Sequence, residues 1–304
     1  ASPSSIGQIS SIPLDLLKEN GYEVVVNPYG RKLTSSEVIQ LGKDCIGIIA
    51  GVENLDSTVL KQLPYLKCIS RVGVGMDNID IPYAENQSIK ILNTPDGPTR
   101  AVAELTLGLT LSLLRKIPLA HSNVKNGTWK KETGNLLLDK KIGVVGLGRI
   151  GRLTAEIFRS LGNPVCGFDI LPDQNWAKQF NIELMDLQSL LKCSDIVTIH
   201  VPGGPDGRPI ISAVELKLLK TSALIINVSR GGVVDELALY TSLKSGEISG
   251  AALDVFKSEP YKGDFQLLDN VILTPHIGSY AKEGKLKMEI DAVKNLINSL
   301  NDLP

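Results

Sequence analysis

The sequence predicts an α/β fold of doubly wound parallel sheets, and three observations carry that expectation. Short apolar runs alternate with helical patterns along most of the chain, which is the arrangement of a parallel sheet with helical crossovers. Several of these runs are β-branched and apolar throughout, as strands buried on both faces require. At 304 residues the chain exceeds the size at which one core usually stops growing, so two domains are expected.

The elements follow in order. SIPLDLLKEN reads as a helix, Cys45 to Gly51 as a strand, DSTVLKQLP as a helix, and Leu66 to Val72 and Ile89 to Asn93 as strands. Together they make a small α/β unit. Gly73-Val74-Gly75 follows its second strand; its amides suit either a carboxylate cradle or a tight turn, and spacing leaves both open. NTPDGPT (Asn93 to Thr99) is rich in turn formers, with Thr99 read as the N-cap of a helix over Arg100 to Leu114. That helix is apolar nearly all round, so it is expected to bridge the domains and feed a subunit interface.

Next comes KIGVVGLGRIG, Lys141 to Gly151, a GxGxxG placed directly after a short apolar strand. Gly146 permits the tight turn, Gly148 lets backbone approach a pyrophosphate, and Gly151 lets the next helix pack on the strand. The pyrophosphate would lie on that helix's unpaired N–H groups. A second strand, PVCGFD, ends in Asp169, 18 positions after Gly151 and about where a dinucleotide site needs a carboxylate for the ribose hydroxyls. Further runs at DIVTIH, ALIINV, GAALDV and NVIL, with helices such as Asp235 to Lys244 between them, extend the sheet to six strands or more. The last segment, Tyr280 to Leu300, is one amphipathic helix with the stripe Leu286, Ile290, Val293, Ile297 and Leu300, expected to return over the first domain.

Composition narrows the function. With 43% hydrophobic residues, a net charge of −1 and a pI near 6.4, the chain carries no electrostatic footprint for nucleic acid or an anionic membrane. Cys45, Cys68, Cys166 and Cys193 are widely spaced in or beside apolar runs and read as free buried thiols of a reducing cytosol. His121, His200 and His276 lack metal-ligand spacing, so no metal site is expected. No leader or membrane-length apolar stretch is present, which points to a cytoplasmic protein. The chain opens AlaSerPro without a methionine, consistent with a trimmed start and a missing first strand.

Three polar residues lie at late strand ends, where open α/β sheets place ligands: Arg230 in NVSRGGVVDE, Glu259 in ALDVFKSEP and His276 in LTPHIGS. Singly, each has an ordinary reading as a surface cation, a loop carboxylate and a loop histidine. Jointly, after a dinucleotide motif, they suit hydride transfer to a ketone. Arginine grips a carboxylate and polarises a carbonyl, histidine exchanges a proton near neutrality, and a carboxylate on the second ring nitrogen fixes the tautomer.

RVGVGMDNID, NTPDGPTRAVAEL, GLGRIGR, the Asp169 strand, INVSRGGVVDE, GAALDVFKSEP and TPHIGS occur in one order. In these stretches, over nearly its whole length, the chain resembles the D-2-hydroxyacid dehydrogenase family, and within it the D-3-phosphoglycerate dehydrogenase branch of serine biosynthesis. The resemblance implies a central Rossmann NAD domain (94–280) inserted into a flavodoxin-like substrate domain (1–93 and 281–304). It implies catalysis by Arg230, Glu259 and His276. NAD would contact Gly146, Gly148, Arg149, Ile150, Gly151, Asp169, His200, Val201, Pro202, Val228, Ser229, Asp254 and Gly278, with Asp169 favouring NAD over NADP. Substrate would meet Arg71 and the amides of Val74 and Gly75, with Arg100 an extra cation or a solvated helix-start residue. A homodimer through the long helix is implied as well.

Departures from the pattern matter. Phosphoglycerate enzymes carry a cation after the first of these strands, where Ala50 and Gly51 stand here. Pro98 replaces a usual asparagine, and Gly203 and Gly204 replace a bulky residue and a threonine after His200-Val201-Pro202. A regulatory serine-binding domain is not expected. The expected function is thus NAD-dependent oxidation or reduction of a D-2-hydroxy acid/2-keto acid pair, 3-phosphoglycerate leading. A glyoxylate, hydroxypyruvate or other small 2-keto acid reductase is the alternative enzyme, and an NAD-sensing regulatory binding protein the alternative of another class.

Overall fold

The early apolar runs become three parallel strands, β1 (Gly47–Ala50), β2 (Cys68–Arg71) and β3 (Lys90–Leu92), in the order β1-β2-β3, with Ile48, Ile69 and Ile91 in register. The computed structural model describes residues 6–203 and 207–302. The chain divides into two compact units, Ala1–Pro98 with Ser279–Pro304, and Thr99–Gly278. In the smaller unit, one sheet face is covered by helices Ile12–Glu19 and Lys282–Asn301. Val38, Val59, Leu60 and Ala84, from helices Ser35–Gly42, Ser57–Leu60 and Ile81–Asn86, belong to a second cluster with Ile48 and Ile69. Burying apolar side chains on both faces of so short a sheet is what stabilises it.

The loop Asn93 to Pro98 belongs with the smaller unit, so the boundary lies five residues later than the sequence suggested. Asn295 donates to Asn93 O at 3.1 Å, and a Cβ on Gly97 would meet Met288 Cγ at 2.2 Å. The C-terminal helix buries Val293, Ile297 and Leu300 of the expected stripe, but not its first two members. Leu286 and Ile290 are only partly buried, whereas Met288, Ala292, Val293, Leu296, Ile297 and Leu300 are buried. Leu296 sets this rotation by filling the space over Gly47, where a Cβ would stand 2.8 Å from its Cδ1.

The larger unit holds seven parallel strands: β4 (Ile142–Val145), β5 (Val165–Phe168), β6 (Glu183–Leu184), β7 (Ile196–Ile199), β8 (Leu224–Asn227), β9 (Gly250–Leu253) and β10 (Val271–Leu273). Their order, β10-β9-β8-β7-β4-β5-β6, reverses between β4 and β7. That reversal opens a crevice at the carboxyl ends of the strands, the position at which such sheets bind ligands. β4, β7, β8 and β9 are buried at every residue, which explains their unbroken apolar runs. β6, two residues long, gave no such run.

Helix Thr99–Leu114 lies in the larger unit and packs on helix Arg149–Ser160 and on β8 and β9. Thr99 is its first residue, not the residue before it. Thr106 and Thr110 are fully buried yet satisfied, donating to Val102 O and Thr106 O at 2.8 and 2.7 Å. All four cysteines are free thiols, Cys68 and Cys166 buried, Cys45 and Cys193 partly exposed. Among the described residues no cluster suits a metal ion, and no helix is long and apolar enough to cross a membrane.

Candidate active site

The glycine motif forms the turn from β4 into helix Arg149–Ser160. Gly146 has φ +93°, and a Cβ there would lie 2.6 Å from His200 O. A Cβ on Gly151 would come within 1.8 Å of Gly146 O, so any side chain would force the helix off the strand. Gly148 is the N-cap, with no side chain capping the helix and nothing within 4 Å of where its Cβ would be. An open glycine before an uncapped helix N-terminus of twelve residues fits a phosphate group. Arg149 is exposed and Ile150 partly buried at its first turn.

Asp169 follows β5 at the same sheet edge. Its Oδ2 accepts from Leu147 N at 2.6 Å and its Oδ1 from Leu171 N at 2.9 Å, which leaves each oxygen a further lone pair for a ribose hydroxyl. Beyond β7, His200 Nε2 lies 2.9 Å from Thr198 Oγ1, while its Nδ1 is buried without a partner. Burial alone pushes this imidazole down to about 3, so it is neutral at physiological pH. A buried, unbonded nitrogen beside the glycine turn fits a site built for a polar ligand. Val201 is partly buried, Pro202 and Gly203 are exposed, and Gly204 lies outside the described residues.

Arg230, Glu259 and His276 follow β8, β9 and β10 respectively, so three adjacent strands deliver them to one edge. Asn227 shapes the first loop. Its Oδ1 accepts from Ser229 N and Ser229 Oγ at 3.1 and 2.8 Å, and its Nδ2 donates to Arg230 O at 3.0 Å. Val228 and Ser229 are buried in this loop, and Arg230 is partly exposed, with Nη1 donating to Ser229 O at 2.8 Å. Gly231 lets the loop lie against Phe256 O, 2.0 Å from where a Cβ would be.

Glu259 links two loops. Oε1 accepts from Phe256 N at 3.0 Å, and Oε2 accepts from His276 Nδ1 at 2.9 Å. Phe256 and Tyr261 stack at 4.2 Å below, and the Glu259–Pro260 peptide is cis. His276 has φ +55°, a left-handed conformation that costs a non-glycine residue about 1 kcal/mol or more. Its side chain is 49% exposed, and with Nδ1 committed to Glu259, Nε2 is the nitrogen left for a substrate.

Asp254 holds this loop, a role the sequence did not suggest. The carboxylate is fully buried. Oδ1 accepts from Thr274 Oγ1 at 2.6 Å and Ile277 N at 2.8 Å, and Oδ2 from Gly278 N at 2.8 Å. Its oxygens are thus engaged on either side of His276. The signal available in the sequence was a carboxylate ending an otherwise apolar strand. Asn227 was missed for a similar reason, since its bonds are all to its own loop.

Arg71 ends β2 in the smaller unit, and Val74 and Gly75 follow it. Gly73 has φ +131°, its amide donates to Thr94 Oγ1 at 2.7 Å, and Val74 O accepts from Asn93 Nδ2 at 2.9 Å. No hydrogen bond within the described residues uses the amides of Val74 and Gly75. The Arg71 guanidinium turns back onto Val72 O. Arg100, in the larger unit, pairs with Glu104 at 2.6 Å, both side chains more than half exposed.

Known proteins give this geometry a setting. The family model described as D-isomer specific 2-hydroxyacid dehydrogenase, NAD binding domain, matches residues 107–278. A D-3-phosphoglycerate dehydrogenase of Archaeoglobus fulgidus is 36% identical over 301 residues, 97% of this chain and 56% of that protein. A glyoxylate reductase of Thermofilum pendens is 42% identical over 256 residues, 81% of this chain and 75% of that protein. The structure of a D-lactate dehydrogenase from Aquifex aeolicus complexed with NAD and lactic acid superposes with a TM-score of 0.85 at 27% identity, covering 99% of this chain and 95% of that one. The chain spans about half the length of the curated phosphoglycerate dehydrogenases it matches.

Proposed function

Because the chain belongs to the D-isomer specific 2-hydroxyacid dehydrogenases, we propose that it interconverts a D-2-hydroxy acid and its 2-keto acid with NAD. The observation that carries this reading is the His276–Glu259 pair, 2.9 Å apart at the sheet edge that also bears Arg230. NAD, when bound, supplies the acceptor or donor of the hydride. His276 Nε2 takes the substrate hydroxyl proton in oxidation and returns it in reduction. Glu259 keeps the second ring proton on Nδ1 and stabilises the imidazolium. Arg230 holds the carboxylate in its planar fork and polarises the reacting carbonyl. The Gly146–Gly151 turn would hold the pyrophosphate, and Asp169 would hold the ribose hydroxyls and repel a 2′-phosphate.

Similarity to D-3-phosphoglycerate dehydrogenases makes 3-phosphoglycerate the leading substrate. The cations favour a second reading, an unphosphorylated acid such as glyoxylate or hydroxypyruvate: Arg100 is engaged by Glu104, Arg71 by Val72 O, and Ala50 and Gly51 stand after β1. The chain would act as a homodimer, its interface built around helix Thr99–Leu114 and the segment after it. There Ile117, Val124, Trp129, Leu136 and Leu138 are 51, 54, 84, 69 and 60% exposed, apolar side chains that a subunit interface would cover.

The test is NADH oxidation with 3-phosphohydroxypyruvate, hydroxypyruvate, glyoxylate and pyruvate, repeated on His276→Ala. Turnover in the variant is expected to fall by roughly 10²- to 10⁴-fold with NADH binding retained. Near-normal turnover in His276→Ala would remove the histidine from the mechanism, and NADH binding without turnover on any 2-keto acid would favour a sensing protein.

A further inference from the structure

Gly143 leaves a gap beside β4 that Ser194 and Leu190 fill, next to two cysteines. A Cβ there would stand 2.3 Å from Ser194 Oγ and 2.5 Å from Leu190 Cδ2, so only glycine lets helix Leu187–Cys193 end this close to the sheet. Cys166 is the register partner of Gly143 on β5. Its Sγ lies 3.9 Å from Cys193 Sγ, in van der Waals contact, and Met185 Sδ lies 3.7 Å from the same Cys193 sulfur. Cys166 is fully buried and Cys193 partly exposed. The Lys141 ammonium, bridged to Glu183 at 2.9 Å, is close enough to both thiols to interact with their charge. Neither cysteine is among the residues assigned above to substrate or cofactor.

We propose that Cys166 and Cys193 are a peroxide-responsive pair, Cys193 being the thiol attacked and Cys166 the thiol that resolves it into an intramolecular disulfide. In the first step the Cys193 thiolate attacks a hydroperoxide oxygen. An S–O bond forms, the O–O bond breaks, and with hydrogen peroxide the departing hydroxide leaves as water; the sulfur is oxidised to a sulfenic acid. In the second step Cys166 sulfur attacks Cys193 sulfur, the S–S bond forms, the S–O bond breaks, and hydroxide takes the Cys166 proton as a second water. Two thiols and one hydrogen peroxide thus give one disulfide and two waters.

Exposure sets the order of attack, since peroxide reaches Cys193 first. Burial pushes the Cys166 thiol up to about 12, so the resolving step is the slow one and the sulfenic acid accumulates before it decays. The sulfurs must approach by about 2 Å to reach bonding distance. The crosslink would tie β5 to the segment entering β7, across β4.

The experiment exposes the full chain to hydrogen peroxide, then counts thiols after denaturation and maps peptides by mass spectrometry. The count is expected to fall from four by two, with a loss of about 2 Da, a peptide pair joined through residues 166 and 193, and reversal by dithiothreitol. Cys166→Ser is expected to halt at a dimedone-trapped sulfenic acid on Cys193, and Cys193→Ser to retain its thiols. Far-UV circular dichroism and melting establish that each variant is folded, and the wild-type result stands without them. The proposal is overturned if wild type keeps all its thiols, if the bridge involves Cys45, Cys68 or a second chain, or if oxidation stops at Cys193 while Cys166 is intact.

Discussion

Replacing Asp254 by asparagine tests whether this carboxylate anchors the catalytic loop or binds cofactor. The substitution preserves shape, but one of the two oxygens becomes an NH2 group. That group must face either Gly278 N, now 2.8 Å from Oδ2, or, after a flip, Ile277 N and the Thr274 hydroxyl, 2.8 and 2.6 Å from Oδ1. Either choice sets donor against donor in a fully buried site. One charge-assisted bond of about 1.5–3 kcal/mol is lost, a buried N–H is left unsatisfied, and the remaining bonds weaken from charged to neutral, so a loss of about 3–5 kcal/mol follows. His276 sits between these anchors at φ +55° and would relax toward an ordinary conformation, carrying Nδ1 away from Glu259. The expected outcome is a turnover number lower by roughly 10²-fold or more, with NADH affinity within about threefold of wild type. Urea unfolding and NADH fluorescence titration measure the two parts. Turnover reduced less than about tenfold with stability within about 1 kcal/mol would refute the anchor. A loss confined to NADH affinity would return Asp254 to the cofactor site.

Two further outcomes follow from the same geometry. Gly151→Ala is expected to be destabilised by more than about 3 kcal/mol, since its methyl would collide with Gly146 O, whereas Gly148→Ala should melt within a few degrees of wild type yet bind NADH at least about tenfold more weakly, because its methyl enters only the open space ahead of the helix. His200, held neutral by burial and pushed down to about 3, contributes stability that is fully present above its unfolded value of about 6.5 and is lost as pH falls through the interval down to 3; the full shift corresponds to about 4–5 kcal/mol, and the partly exposed ring should give less. Unfolding free energies of wild type and His200→Gln measured between pH 4 and 7 should therefore converge toward acid pH, and parallel curves would contradict the burial argument.

The fold was legible where apolar runs were unambiguous. β4, β7, β8 and β9 are buried at every position, so their sequences admit little but a central strand. β6 was invisible because two residues, one of them Glu183, carry no pattern. The C-terminal helix was found with Val293, Ile297 and Leu300 rightly turned inward, but periodicity could not weigh the small Ala292 and the flexible Met288, both buried, against the larger Leu286 and Ile290, both partly exposed. At the site, the three polar residues at strand ends stood out because polar side chains interrupt apolar sequence there. Thr106, Thr110, Asn227 and the anchoring role of Asp254 did not, since what distinguishes them is the satisfaction of buried hydrogen bonds, which depends on groups brought together only by folding.

The left-handed backbone at His276 has a consequence for anyone improving this scaffold. Glycine adopts φ +55° without penalty and asparagine nearly so, and either would release about 1 kcal/mol now stored at that position. A library ranked only by heat resistance would therefore enrich the substitutions that discard the proton carrier, and thermostable winners should be inactive at a rate above chance. Selection on this chain has to read turnover and melting together, because at residue 276 the two favour different amino acids.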